Sequence, residues 1–232
     1  MNNSAICYRH FGHPESTLRL EHRPVTPCPT DRLRVRMLCA PLNASDLIPV
    51  TGAYRHRITP PEVAGYEGVG LVISAPPAFS HLTGRRVLPL RGEGTWQNVV
   101  DVEPRWAVPV PDGVDNMLAA RSYINPLAAL LMLRLYSPPG KKVLLTAAGS
   151  DCALLLGQWA LKMGATCVAG IHRSPVHARR LAACGITPVA QQDTRAVTYY
   201  AAQSDRVYDA TGGLLAETIL HALPEEALFI CY

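Results

Sequence analysis

The seven cysteines of this 232-residue chain include no CxxC pair. Most sit in apolar surroundings, and their odd total argues against a complete disulfide framework, so a reducing, cytoplasmic setting is expected. No apolar run reaches the roughly 18–20 residues that cross a bilayer, so no membrane partner is expected. The start, Met1-Asn2-Asn3-Ser4, lacks a basic region followed by an apolar one and does not read as a secretory signal. Charge of one sign is also scarce. The net balance is only +4, and basic residues are scattered except for Arg173, Arg179 and Arg180, so no nucleic-acid surface is indicated. Internal repeats and low-complexity segments are absent.

What remains is an ordinary globular composition, 48% hydrophobic and 17% charged, in a chain long enough for one large domain or two small ones. Its texture changes part-way. Before about residue 110 it is rich in proline and turns, with short β-like runs at Arg32–Leu38, Gly68–Ser74, Arg86–Leu90 and Gln97–Val102, the pattern of a small barrel or sandwich. Beyond about Asp112, helix and strand alternate. Asn116–Leu135 reads as one long helix, or two hinged at Asn125-Pro126, because proline within a helix removes a hydrogen bond.

The most informative stretch is Lys141–Arg173. Lys142-Val143-Leu144-Leu145-Thr146 is an apolar run suited to a buried parallel strand, and the small-residue turn Ala147-Ala148-Gly149-Ser150 follows. A helix from about Ala153 to Met163 ends at Gly164, and Thr166–Ile171 gives a second strand. This is a βαβ unit, whose right-handed crossover points a helix N-terminus at the carboxyl edge of the sheet. Free N–H groups and a positive dipole end favour a phosphate there, which suggests a nucleotide cofactor. Further elements are expected at Ile186–Ala190 (strand), Thr194–Ala202 (helix), Arg206–Ala210 (strand), Leu214–Ala222 (helix) and Ala227–Tyr232 (strand).

The β-then-α/β order, with Ala40-Pro41-Leu42-Asn43-Ala44-Ser45-Asp46-Leu47, Gly52-Ala53-Tyr54, Gly65-Tyr66-Glu67-Gly68-Val69-Gly70, Gly94-Thr95-Trp96 and Asn125-Pro126, resembles the medium-chain dehydrogenase/reductase superfamily. Within it the chain is most similar to the zinc-free quinone oxidoreductases and 2-enoyl thioester reductases. The resemblance runs from about Ile6 to the last residue. It implies an α/β fold: an N-terminal GroES-like β-barrel domain over 1–111, then a helical connector and an incomplete Rossmann domain, a doubly wound parallel sheet, over 112–232.

Zinc-dependent members carry cysteine and histidine where this chain has Asn43 and Tyr66. An amide and a phenol are poor tetrahedral Zn²⁺ ligands, so no catalytic metal is expected. A substrate carbonyl must then be polarised by hydrogen bonding. The resemblance puts Tyr54 in the place of the enoyl reductases' catalytic tyrosine; phenols stay protonated at neutral pH and can donate to a thioester oxygen. The other reading of Tyr54 is a half-buried turn aromatic. Asn43 either orients substrate or nicotinamide or serves turn chemistry, and Asp46 reads as a helix cap. Glu67 reads as a structural partner near the barrel mouth, and Trp96 as either a lining or a packing residue.

At the cofactor end the family's Ser-Gly-Val-Gly type turn is replaced by Ser150-Asp151-Cys152-Ala153. Asp151 either faces a pyrophosphate, which it would repel, or N-caps the helix with its side chain turned aside. His172-Arg173-Ser174 follows the second strand where NAD-preferring members carry an acid, and Arg with Ser suits a 2′-phosphate, so NADPH is the expected cofactor. Its expected contacts are Asn125, Gly149, Ser150, Asp151, His172, Arg173, Ser174, Thr211 and Gly212, with Asp209–Gly213 as the turn that flanks it.

The resemblance also implies a further strand, one wall of the substrate cleft and a dimer edge beyond the fifth strand. A chain ending at Tyr232 should show an exposed strand edge and a weakened homodimer. Two functions follow. One is an NADPH-dependent, zinc-free oxidoreductase reducing an activated C=C bond in a small-molecule enoyl thioester, enone or quinone. The other is a non-catalytic truncated remnant or partner-completed binding module of the same family.

Overall fold

The structure is a computed structural model that describes residues 2–232. Contacts divide the chain into two compact units, 1–123 and 124–232.

The first unit is β-rich. Its strands are β1 (Asn2–Tyr8), β2 (Arg19–Pro24), β3 (Leu33–Cys39), β4 (Glu62–Val63), β5 (Val69–Ser74), β6 (Arg86–Pro89), β7 (Val99–Val102) and β8 (Ala107–Pro109); its helices are the short α1 (Pro14–Thr17), α2 (Ala44–Leu47) and α3 (Asn116–Ala120). The strands form two antiparallel sheets, ordered β2-β1-β4 and β7-β3-β5-β6-β8. A bridge between Ala5 and Gln97 ties them together. Leu33, Val35, Val72, Val87 and Val102, from four strands of the larger sheet, form the core of this unit. A bidentate ion pair between the mostly buried Arg34 and Asp101 spans β3 and β7 at 2.8 Å. Of these strands, β3, β5, β6 and β7 match the β-like runs of the sequence. β1, β2, β4 and β8 do not stand out there. β2, Arg-Leu-Glu-His-Arg-Pro, buries none of its residues fully, so it lacks the apolar signal that marks a strand.

The second unit is a five-stranded, fully parallel sheet. Its strands are β9 (Lys142–Leu145), β10 (Cys167–His172), β11 (Thr187–Ala190), β12 (Arg206–Asp209) and β13 (Leu228–Cys231); its helices are α4 (Ile124–Leu135), α5 (Asp151–Lys162), α6 (Val176–Ala183), α7 (Thr194–Ala201) and α8 (Gly213–Ala222). The order β11-β10-β9-β12-β13 reverses direction between β9 and β12. Neighbouring residues of β9 point to opposite faces, as strand geometry requires. Val143 and Leu145 pack with α4, α5 and α6 side chains, while Leu144 packs with Val197 of α7 and Ile219 of α8. Burial on both faces explains the continuous apolar reading of these strands. β11 and β13 are the edge strands.

The expected break at Asn125-Pro126 lies elsewhere. α3 ends at Ala120 and α4 begins at Ile124. Pro126 therefore falls in the first turn of α4, where its missing N–H costs no intrahelical bond. α3 belongs to the first unit, where Ala119 and Ala120 pack against Val69, Leu88, Leu90 and Val110.

Candidate functional site

In the first unit the candidate residues gather around α2. Asn43 is the N-cap of this helix, and Asp46, at the third helical position, reaches back to accept the Asn43 backbone N–H at 2.7 Å. The cap expected at Asp46 is thus centred on Asn43, with Asp46 as its reciprocal partner. The second Asp46 oxygen accepts the Tyr66 N–H at 3.0 Å, which fixes the Gly65–Gly68 segment to α2. Burial pushes the Asp46 carboxyl up, partly offset by these two backbone donors. Asn43 also donates its side-chain amide to Glu67 Oε1 at 2.7 Å. Glu67 is buried, and its carbonyl accepts the Thr95 hydroxyl at 2.8 Å. It is a structural partner, as its position suggested.

Trp96 is half-buried and donates Nε1–H to the Pro41 carbonyl at 3.1 Å. The turn that carries it depends on Gly94, because a methyl there would run into the backbone carbonyl of Val63.

Tyr54 lies on the loop after α2, half-buried, with its carbonyl accepting the N–H groups of Arg57 and Ile58 at 3.0 Å. The Arg57 guanidinium lies 4.1 Å from the centre of its ring. The nearby Tyr66 phenol is pushed up by burial, and the Arg57 charge opposes that shift. Arg57 therefore serves two phenols at once, a role that its sequence context does not signal.

The second unit brings its candidates to the carboxyl edge of the sheet. Ser150 is the N-cap of α5, its hydroxyl accepting the Ala153 N–H at 3.3 Å. Asp151 is the first helical residue, so it does not cap the helix as one reading of the sequence had it. Its carboxylate instead meets the Arg180 guanidinium at 3.0 Å. Gly149 is tightly covered: a methyl there would come within 2.5 Å of the His177 ring. His172, the last residue of β10, is buried, and its Nδ1 has no hydrogen-bond partner. Arg173 is exposed and Ser174 half-buried. Asn125 is the second residue of α4 and is also half-buried.

Across the switch point, the Thr146 hydroxyl donates to Asp209 Oδ1 at 2.6 Å and accepts the Ala210 N–H at 2.9 Å. Asp209 Oδ1 also accepts the Thr211 hydroxyl at 2.8 Å and its N–H at 3.2 Å, and Oδ2 accepts the Gly212 N–H at 2.8 Å. Burial pushes the Asp209 carboxyl up, but these donors outweigh it and hold it below the usual carboxylate range. This network fixes the exposed Thr211-Gly212 turn where open α/β sheets hold ligands. Sequence reading identified the turn but not the Thr146 hydroxyl that joins it to the neighbouring strand.

Among the described residues, no three His, Cys, Asp or Glu side chains are grouped so as to hold a metal ion. No helix is long and apolar enough to cross a membrane.

An antiparallel β unit of GroES-like type and a Rossmann sheet define a two-part α/β class. No family model matches the chain. A solved structure from Bacillus thuringiensis, provisionally described as an NADPH:quinone reductase, is 34% identical with a TM-score of 0.88, covering 100% of this chain and 72% of its own. The mitochondrial enoyl-[acyl-carrier-protein] reductase of Xenopus tropicalis is 31% identical over 167 residues, 70% of this chain and 48% of its own length. That of Arabidopsis thaliana is 35% identical over 133 residues, 56% of this chain and 36% of its own. The chain belongs to the medium-chain dehydrogenase/reductase superfamily. The matches span less than half the length of these two curated relatives.

Proposed function

We propose that this chain carries the cofactor and substrate machinery of an NADPH-dependent oxidoreductase that reduces an activated C=C bond without zinc. The supporting observation is the convergence at one sheet edge of the α5 N-terminus, the partnerless His172 Nδ1 and the Asp209-braced Gly212 turn. A buried imidazole nitrogen without a partner is costly, and a ligand's polar group would relieve it. The residues fit a dinucleotide. The turn into α5, with Gly149, the N-cap Ser150 and the first helical residue Asp151, would hold the diphosphate through backbone N–H groups other than that of Ser150, which donates to the Ala147 carbonyl at 2.9 Å. His172, Arg173 and Ser174 would hold the ribose and its 2′-phosphate, and Thr211, Gly212 and Asn125 would hold the nicotinamide half. The NADPH:quinone reductase description of the 34% identical relative supports the same cofactor.

NADPH, when bound, supplies the hydride that adds to the substrate β-carbon. The chain's own part is to bind and polarise. Tyr54 donates its phenolic hydrogen to the thioester or ketone oxygen, where negative charge develops, and Arg57 holds the ring from its face. Asn43 keeps the α2 loop in register through Glu67. With an amide at Asn43 and a phenol at Tyr66, the site lacks thiolate and imidazole donors, which supports the zinc-free reading. The enoyl-[acyl-carrier-protein] reductase relatives support an enoyl thioester, and the 34% identical NADPH:quinone reductase relative supports a quinone. We place the enzyme in the cytoplasm on cysteine usage, although these relatives are named mitochondrial, and as a weakened homodimer, which light scattering checks.

The test is loss of nicotinamide absorbance with NADPH and crotonyl-type thioesters or small quinones. Turnover on one of them that falls in Tyr54→Phe is expected. No turnover on any substrate leaves the second reading, a non-catalytic scaffold, which the acid at Asp151 favours.

A further inference from the structure

Asp151 sets a carboxylate at the first position of the helix whose N-terminus would receive a diphosphate. At about 4 Å in water a second negative charge weakens an anion's binding about fivefold, and more at lower effective dielectric. α6 answers this charge. Its Arg180 guanidinium meets Asp151 Oδ1 at 3.0 Å, and its His177 ring covers Gly149 so closely that a methyl there would reach within 2.5 Å. His177 and Arg180 are three residues apart, hence on one face of α6. A single helix face thus spans the turn, bracing it sterically at Gly149 and electrically at Asp151.

We infer that Arg180 is a positioning residue for the dinucleotide: it offsets the Asp151 charge and holds the carboxylate aside, so that an acid-bearing turn accepts a diphosphate. This rests on the NADPH reading above. The mechanism is coupling, since Arg180 matters because Asp151 is there. An arginine that bound phosphate directly would matter equally with or without the acid.

The experiment is NADPH titration, followed by cofactor fluorescence, of the full chain as wild type, Arg180→Gln, Asp151→Asn and the double variant. Both side chains are partly exposed, 55% and 40%, so the folded state tolerates the loss of either charge. Arg180→Gln should weaken binding about fivefold in the wild-type background and less than about twofold when Asp151 is already Asn. Added salt should shrink the first effect. Equal costs in the two backgrounds, or no cost in either, overturn the inference. A wild type that fails to bind while Asp151→Asn binds also overturns it, but leaves the NADPH reading standing. If no variant binds, the NADPH reading falls and takes the inference with it.

Discussion

Asp209→Asn tests the network at the switch point. The wild-type carboxylate is 3% exposed and accepts four hydrogen bonds, three on Oδ1 and one on Oδ2. Asparagine keeps one acceptor oxygen but sets an amide donor against a partner that also donates. If Oδ1 keeps its three donors, the Gly212 N–H loses its acceptor. A hydrogen bond to a charged group contributes about 1.5–3 kcal/mol, and all four bonds lose the charge of the carboxylate, so a loss of about 3 kcal/mol is expected. For a unit of this size that lowers Tm by roughly 12 °C. Acid provides the matching perturbation. The folded Asp209 carboxyl titrates below its unfolded value of about 3.9. Its contribution is therefore complete above about pH 5 and fades as pH falls through the folded value. Calorimetric melts from pH 7 to pH 3 should show the gap between wild type and variant shrinking in acid, because protonated Asp209 resembles the variant. A gap constant with pH, or one below about 1 kcal/mol at neutral pH, would refute the reasoning.

Asn43→Ala removes the donor that meets buried Glu67 at 2.7 Å; urea melts should show a loss of about 2 kcal/mol, and an unchanged midpoint would deny the bond its structural role. Gly94→Ala drives a methyl into the Val63 carbonyl, and overpacking against backbone should cost about 3 kcal/mol or more, read as lower Tm or loss of soluble protein. Tyr54→Phe should lower turnover about 10²-fold with little change in KM or Tm, as loss of one transition-state donor does; a fall in KM alone would assign the phenol another task.

The second unit was legible at every strand, most clearly at β9, β10 and β12, which are buried on both faces, whereas the sequence did not mark α6. Val143–Leu145 and Val168–Ile171 announce themselves as apolar runs, and Gly164 marks the end of the intervening helix turn. The first unit was legible only where strands are buried. β2 and the two-residue β4 owe their place to pairing with β1, a long-range fact that no local pattern carries. The site divides in the same way. Of its backbone features, the cap expected at Asp151 falls one residue earlier, at Ser150, whereas the Thr211-Gly212 turn follows from local residue types. Its charge partners do not: Asp151 and Arg180 are 29 positions apart, and Thr146 and Asp209 are 63 apart. Only the sheet order and the α6 docking bring them together.

Calorimetric titration of the intact chain with NADPH and, separately, NADH is the most direct measurement of whether the sheet edge is a dinucleotide site. Saturable one-site binding is expected, with NADPH at least about tenfold tighter, because a charge-assisted contact from Arg173 to a 2′-phosphate is worth about 1.5–3 kcal/mol. Absence of heat with either nucleotide at millimolar concentration, or equal affinities for the two, would contradict the account.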